Sequence, residues 1–185
     1  SWGEAIENAL PRWVKYGKKT AKYIEKAKKK TNAGSSAVTQ PKEFKLTDEQ
    51  KEAFEAIRKA LDNGCDLPSR EKNKAQAPIN HASLPILLFG VTGSGKSELY
   101  IRAIREVLKK GRGAICLVPE IALTEQLKRF FTGHFGGDLE ILHSKMTDGE
   151  RFLAWKRIEL GAARVVLGPR SAVFAPMPDL GLIVM

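Results

Sequence analysis

The sequence has few cysteines and no long apolar run. Its only cysteines are Cys65 and Cys116, too few and too unrelated in their surroundings for a disulfide framework or a zinc site. No apolar stretch approaches the roughly 20 residues of a membrane helix, and the chain does not open with a leader that has a small-residue cleavage site. These absences argue against a disulfide-stabilised secreted domain and predict a cytoplasmic protein without a membrane partner.

Acidic residues are scarce in the first quarter of the chain. Residues 1–45 contain 11 Lys and Arg against 4 Asp and Glu, and the whole chain of 185 residues has a formal net charge of +10. A polyanionic partner such as nucleic acid would explain this excess. A solvated lysine face that aids solubility explains it equally well from charge alone.

The N-terminal part is predicted to be a basic helical extension, residues 1–45. Residues 4–30 have helical spacing, interrupted by Pro11, and residues 31–41 have the composition of a linker. The next helix opens at Thr47, where Gln50 three residues later completes a capping-box pattern.

From residue 46 to residue 185 the sequence predicts one α/β domain. Residues 65–83 are turn-rich, and short apolar runs then alternate with amphipathic segments, as expected of a parallel sheet with helices on its faces. The predicted strands span residues 84–89, 114–118, 139–142, 164–167 and 180–185, and the predicted helices that follow residue 84 span 98–110, 122–135 and 148–160.

A phosphate-binding P-loop connects the first predicted strand to the next helix. The eight residues match G-x-x-x-x-G-K-[ST] in full: Gly90, Val91, Thr92, Gly93, Ser94, Gly95, Lys96 and Ser97. Glycines let backbone N–H groups approach phosphate oxygens, and the helix N-terminus favours anions. Lys96 is predicted to reach the β- and γ-phosphates of ATP and to be its catalytic lysine, and Ser97 to ligate Mg²⁺. The motif predicts phosphate binding, which kinases, GTPases, transporters and helicases share.

Further blocks resemble the PriA-type replication-restart helicases (primosomal protein N′). Residues 90–100, GVTGSGKSELY, resemble the family's GVTGSGKTEVY block, and residues 117–126, LVPEIALTEQ, resemble LVPEIALTPQ. Residues 142–155 resemble its LHS…ERxxxW block, and residues 168–176, GPRSAVFAP, resemble GTRSAxFxP with Pro169 in place of Thr. The resemblance covers about three quarters of the chain, from Leu46 onward.

The resemblance implies a RecA-like lobe of a superfamily 2 DNA helicase that moves 3′ to 5′ and acts at stalled forks with primosome proteins. Gln50 resembles the glutamine that reads adenine, although the capping box alone accounts for it. Thr124, Ser144 and Arg170 resemble DNA-contacting positions. For Thr124 a helix-start hydroxyl is an alternative role, and Arg170 could instead anchor its own loop. His143 is interpreted as a packed histidine.

The chain departs from the family at both ends. It begins at Ser1 and stops at Met185, where the family continues with Asp-Glu-Glu-His, the carboxylates that hold Mg²⁺ and position water. The family's zinc region and second lobe would follow later. This chain is therefore expected to be a cut piece that binds ATP and hydrolyses it poorly. Residues 1–30 could be the end of the family's winged helix or a separate linker.

Three other functions remain open on the sequence alone. A different superfamily 2 translocase, such as a restriction-type motor, would share the P-loop. A small-molecule kinase would leave the blocks at 117–126 and 168–176 unexplained. A non-enzymatic DNA-binding module driven by residues 1–45 would bind DNA without any effect of nucleotide.

Overall fold

The computed structural model describes residues 44–63, 85–91 and 93–185. The predictions for residues 1–43, for the segment 64–84 and for Thr92 lie outside the described residues. The chain divides into two compact units, which we call the P-loop unit (Glu43–Lys110) and the sheet unit (its described part is Gly111–Met185). Within the described ranges, no helix has both the length and the apolar character that crossing a bilayer requires.

The P-loop unit contains two helices that pack against each other, α1 (Asp48–Asn63) and α2 (Lys96–Lys109). The predicted capping box at α1 is present. Gln50 N donates to Thr47 Oγ1 at 3.3 Å, and Thr47 N donates to Gln50 Oε1 at 3.0 Å. Helix α2 ends before Gly111, whose φ of 75° only glycine adopts readily. The start of α1 and the end of α2 were therefore both predicted from residues that act within a few positions of the helix end.

The predicted strand at 84–89 is wrong for the residues that the structure describes. Residues 85–89 belong to no strand, and the side chains of Leu87 and Phe89 are 88% and 91% exposed. An apolar run expresses a preference for burial, whereas a strand exists only where another strand accepts and donates its backbone hydrogen bonds. The apolar composition of residues 85–89 therefore could not show whether such a partner strand is present.

The sheet unit contains four parallel strands in the order β2-β3-β1-β4. They are β1 (Gly113–Leu117), β2 (Leu139–Ile141), β3 (Val165–Gly168) and β4 (Leu180–Val184). All four were predicted to within two residues at each end. The predicted fold class is confirmed, since a parallel sheet with flanking helices is the architecture of a RecA-like P-loop helicase domain.

Two helices connect the strands of the sheet unit, α3 (Glu125–Phe135) and α4 (Asp148–Glu159). The predicted helix start at residue 122 is wrong. Residues Glu120–Ala122 form a separate 3-10 turn, and α3 begins after Thr124, whose Oγ1 accepts a hydrogen bond from Leu127 N at 3.2 Å. Helix α4 begins with a capping box between Thr147 and Glu150, which was not predicted from the sequence.

The core of the sheet unit lies where α4 covers the sheet. Ile115, Val166 and Ile158 are fully buried there. Cys116 in β1 is also buried, and burial raises the pKa of its thiol to about 11, so it stays protonated at neutral pH and serves as a core residue. At Gly168 an added Cβ would lie 3.0 Å from the carbonyl oxygen of Leu142, so only glycine fits the end of β3 without a shift of the backbone.

An ion pair between Arg157 and Glu140 holds α4 to the edge strand β2. Both side chains are only 14% exposed, and Arg157 Nη1 donates to Glu140 Oε2. Arg157 Nη2 also donates to the carbonyl oxygen of Gly137 at 2.7 Å. This one guanidinium therefore joins the helix to the strand and to the turn that precedes it.

Candidate nucleotide and nucleic-acid sites

Two glycines of the P-loop have a backbone conformation that favours glycine. Gly93 and Gly95 have φ values of 84° and 81°, a region that side-chain-bearing residues rarely adopt. Gly95 is the N-cap of α2 and has no side chain that could accept hydrogen bonds from the N–H groups of the first turn. These features leave backbone donors and the positive end of the helix dipole available to an anion.

Lys96 is held close to the P-loop by its own backbone. Its ammonium donates to the carbonyl oxygens of Gly90 at 2.6 Å and Val91 at 2.7 Å. The Ser97 side chain is on the exposed side of the first turn of α2. A lysine and a hydroxyl residue at the start of a helix fit a Mg²⁺-nucleotide, because the lysine supplies charge to phosphate oxygens and the hydroxyl can ligate the metal.

Gln50 joins helix α1 to the P-loop. Its Nε2 donates to the carbonyl oxygen of Ser94 at 2.8 Å while its Oε1 accepts the capping bond from Thr47. An added Cβ at Gly95 would lie 2.5 Å from Gln50 Nε2, so the approach depends on glycine. The capping-box role of Gln50 is therefore observed together with a contact to the P-loop backbone, and its role in adenine recognition stays a prediction.

A cleft in the sheet unit lies at the carboxyl ends of three adjacent strands. Its volume is about 580 Å³. The loops that follow β1, β2 and β3 form most of it, because parallel strands present their carboxyl ends at the same edge, where ligands of α/β sheets bind. The lining residues are Pro119, Glu120, Ile121, Leu142, His143, Ser144, Arg151, Trp155, Pro169, Arg170 and Ser171.

Two arginines give the cleft its positive charge. Arg170 is exposed, Arg151 is half-buried, and neither guanidinium forms an ion pair or a hydrogen bond with any residue in the described ranges. The alternative in which Arg170 anchors its own loop through carbonyl groups is therefore not observed. Glu120 is the one lining carboxylate, and it is exposed. Unpaired guanidinium groups favour an anionic ligand with phosphate or carboxylate oxygens.

The structure brings together two of the three residues predicted to contact DNA. Ser144 and Arg170 line the cleft, whereas Thr124 does not and caps α3 instead. Next to it, a hydrogen bond from Lys128 lowers the pKa of Glu125, which keeps a negative charge at the start of that helix. A phosphate contact at Thr124 stays a prediction.

No site role was predicted from the sequence for Arg151, Trp155 or Ile121. Arg151 and Trp155 are four residues apart on α4, a spacing that places side chains on one helix face and could have associated them. No pattern could have placed Ile121, because its position depends on the 3-10 turn after β1. In the described part of the chain, no group of three or more His, Cys, Asp or Glu could hold a metal ion.

Comparison with known proteins gives two consistent results. The family described as "Type III restriction enzyme, res subunit" matches residues 43–177. The chain is also 44% identical over 140 residues to the replication restart protein PriA of Bacillus subtilis (strain 168), an alignment that covers 76% of this chain and 15% of that protein.

Other relatives carry the same description. The chain is 50% identical over 99 residues to replication restart protein PriA of Chlamydia pneumoniae, covering 54% of this chain and 13% of that protein. It is 45% identical over 100 residues to the protein so described in Synechocystis sp., covering 54% of this chain and 12% of that protein. The chain thus spans only a small part of these relatives, and the resemblance to this family seen in the sequence is confirmed.

Proposed function

This chain belongs to the family described as type III restriction enzyme, res subunit, and from that premise we propose that it is the ATP-binding lobe of a DNA helicase that acts in replication restart. The observation that carries the proposal is the P-loop, with Gly93 and Gly95 at positive φ and a helix start that no side chain caps. Lys96 and Ser97 follow at the positions that phosphate and Mg²⁺ binding require.

Replication restart is favoured over restriction because the relatives at 44–50% identity are named replication restart proteins. The same proposal includes forked or single-stranded DNA and primosome proteins as partners, a 3′-to-5′ polarity and a cytoplasmic location. The alternative is another superfamily 2 DNA translocase. Preference for forked over linear DNA, measured on the parent protein, would separate the two.

The P-loop unit is proposed to hold Mg²⁺-ATP through its own backbone and two side chains. Backbone N–H groups from Gly93 to Ser97 would receive the phosphates, the Lys96 ammonium would exchange its loop carbonyls for phosphate oxygens, and Ser97 would ligate the metal. Gly90, Val91 and Thr92 complete the predicted loop. ATP supplies the energy of phosphoryl transfer, which needs metal, positioned water and charge stabilisation together. We expect the 185-residue chain to bind ATP and to hydrolyse it slowly.

Gln50 is proposed to position the P-loop and to contribute to adenine recognition. We expect Gln50→Ala to weaken ATP binding about 10-fold, the effect of losing roughly one or two hydrogen bonds. Thr47→Ala is the matched control, because it also breaks the capping box and leaves the bond from Gln50 to Ser94 in place. Titration calorimetry with ATP and GTP measures both effects. An equal loss for the two nucleotides would contradict adenine recognition.

The cleft of the sheet unit is proposed to bind the DNA backbone through Arg170 and Ser144. Fluorescence anisotropy with a labelled single-stranded oligonucleotide tests this, with and without Mg²⁺-ATP. Arg170→Ala should weaken binding about 5- to 10-fold and reduce the salt dependence by roughly one phosphate contact. Arg58→Ala, which removes an exposed arginine from α1, is the control. If DNA affinity is the same in Arg170→Ala and in the unmodified chain, and does not change with nucleotide, a DNA-binding module that depends on residues 1–45 is supported instead.

A further inference from the structure

The segment that leads into α1 is attached to the P-loop and α2 at two points. Near its end, Gln50 Nε2 donates to the carbonyl oxygen of Ser94 at 2.8 Å, just before α2 begins. At its start, Arg102 Nη2 donates to the carbonyl oxygen of Phe44 at 2.7 Å. Because α2 continues directly from the P-loop, these two contacts hold both ends of residues 44–50 against one continuous piece of backbone.

Arg102 is itself held in place on α2. Its Nε donates to Glu98 Oε1 at 2.8 Å, one turn earlier on the helix, and the two side chains are only 23% and 14% exposed. A guanidinium is planar and donates to two acceptors in a fixed geometry, so the bond to Glu98 orients the nitrogen that reaches Phe44. Arg102 thus presents a fixed donor to the chain in front of α1.

Burial of apolar side chains contributes little to holding this segment. Phe44 is 70% exposed, Lys45 and Thr47 are also exposed, and Leu46 is half-buried. An exposed coil has many backbone conformations, and a hydrogen bond to a fixed donor restricts them. The Thr47 N–H, which orients Gln50 Oε1, follows Phe44 closely in the chain. Restraining the Phe44 carbonyl therefore also restrains the Gln50 amide.

We propose that Arg102 is a positioning residue for the nucleotide site, which it serves through Phe44 and Gln50 without touching the nucleotide. The inference rests on the proposed ATP-binding function. When the contact to Phe44 is removed, the segment holds Gln50 against the P-loop for only part of the time, and the apparent affinity for ATP falls in proportion to that fraction. The loss cannot exceed the loss caused by removing the Gln50 side chain, because Arg102 acts only through it.

Titration calorimetry with Mg²⁺-ATP on the 185-residue chain tests this role through a double-mutant cycle. Arg102→Met removes the hydrogen bonds and keeps an apolar side chain of similar length. It should weaken ATP binding about 3- to 5-fold, less than the roughly 10-fold expected for Gln50→Ala. In the Gln50→Ala background, Arg102→Met should have no further effect.

Two further variants separate positioning from the stability of the helix pair. Arg102→Lys should keep the ion pair with Glu98 but lacks a second nitrogen for Phe44, so it should weaken ATP binding as much as Arg102→Met. Lys110→Ala is the matched control, because it breaks contacts between the same two helices at their other end. Lys110 Nζ donates there to the carbonyl oxygen of Leu61 at 3.1 Å and to Asp62 Oδ1 at 2.5 Å. The affinity of Lys110→Ala for ATP should equal that of the unmodified chain.

The outcomes distinguish this inference from the function on which it rests. Three results would overturn the positioning role and leave the P-loop site intact: unchanged ATP affinity in Arg102→Met, a loss that persists in the Gln50→Ala background, or an equal loss in Lys110→Ala. Failure of the unmodified chain to bind Mg²⁺-ATP would overturn the ATP-binding proposal and the inference together.

Discussion

Lys96→Ala should weaken the binding of Mg²⁺-ATP by about 100-fold. The Lys96 ammonium lies at the P-loop and donates two hydrogen bonds of 2.6 and 2.7 Å to the carbonyl oxygens of Gly90 and Val91. Phosphate oxygens are stronger acceptors than these carbonyls because the resulting hydrogen bonds join two charges. Losing such a contact costs roughly 1.5–3 kcal/mol, and the upper end of that range corresponds to about two powers of ten in affinity.

Titration calorimetry of the unmodified chain and the variant measures this loss directly. Lys109→Ala is the matched control, because Lys109 is an exposed lysine at the opposite end of the same helix and pairs with Glu106 on the helix surface. The control should bind ATP like the unmodified chain. Equal affinity in Lys96→Ala and Lys109→Ala would contradict the proposed phosphate site.

Arg157→Ala should lower the free energy of unfolding by about 3 kcal/mol. Removing one partner of a buried ion pair typically costs about 3–5 kcal/mol, because the remaining charge is left without compensation in a poorly solvated place. Here Glu140, whose side chain is only 14% exposed, would lose the guanidinium that donates to its Oε2. Arg157 Nε is buried and has no hydrogen-bond partner, which offsets part of the favourable contribution and places the expected loss at the lower end.

Urea denaturation followed by circular dichroism tests this prediction with two comparisons. The double variant Arg157→Met with Glu140→Gln removes both charges and should recover much of the lost stability. Arg58→Ala breaks an ion pair with Glu55 whose side chains are about half exposed, and it should change stability by less than about 1 kcal/mol. A loss in Arg157→Ala no larger than in Arg58→Ala would show that the pair to Glu140 contributes little.

The sequence predicted best those features that nearby residues determine. Thr47 and Gln50 identified the start of α1, and Gly111 marked the end of α2, because caps and glycine stops act within a few residues. The strands of the sheet unit were found because parallel strands buried on both faces are continuously apolar. The start of α3 was predicted at residue 122, before its actual start at Glu125, because the apolar residues that precede Thr124 continue the helical pattern across a 3-10 turn.

The candidate cleft could not be assembled from sequence patterns. Its residues come from four separate segments, after β1, after β2, along α4 and after β3, and only the order of the strands brings them together. Family resemblance identified Ser144 and Arg170, since both occur in short blocks. Trp155 lies in the block of Ser144 and Ile121 lies in the block at 117–126, but their relation to the two arginines requires three-dimensional coordinates.

The position of β1 between β3 and β4 has a consequence for biosynthesis. Both hydrogen-bonding neighbours of β1 lie at least 48 residues further along the chain, since β3 begins at Val165 and β4 at Leu180. At about 5–20 residues per second, a ribosome needs roughly 2–10 seconds after completing β1 to deliver its first partner. During that interval the apolar segment of β1 lacks both of the strands with which it pairs in the structure, and we expect it to be a site where a nascent-chain chaperone binds.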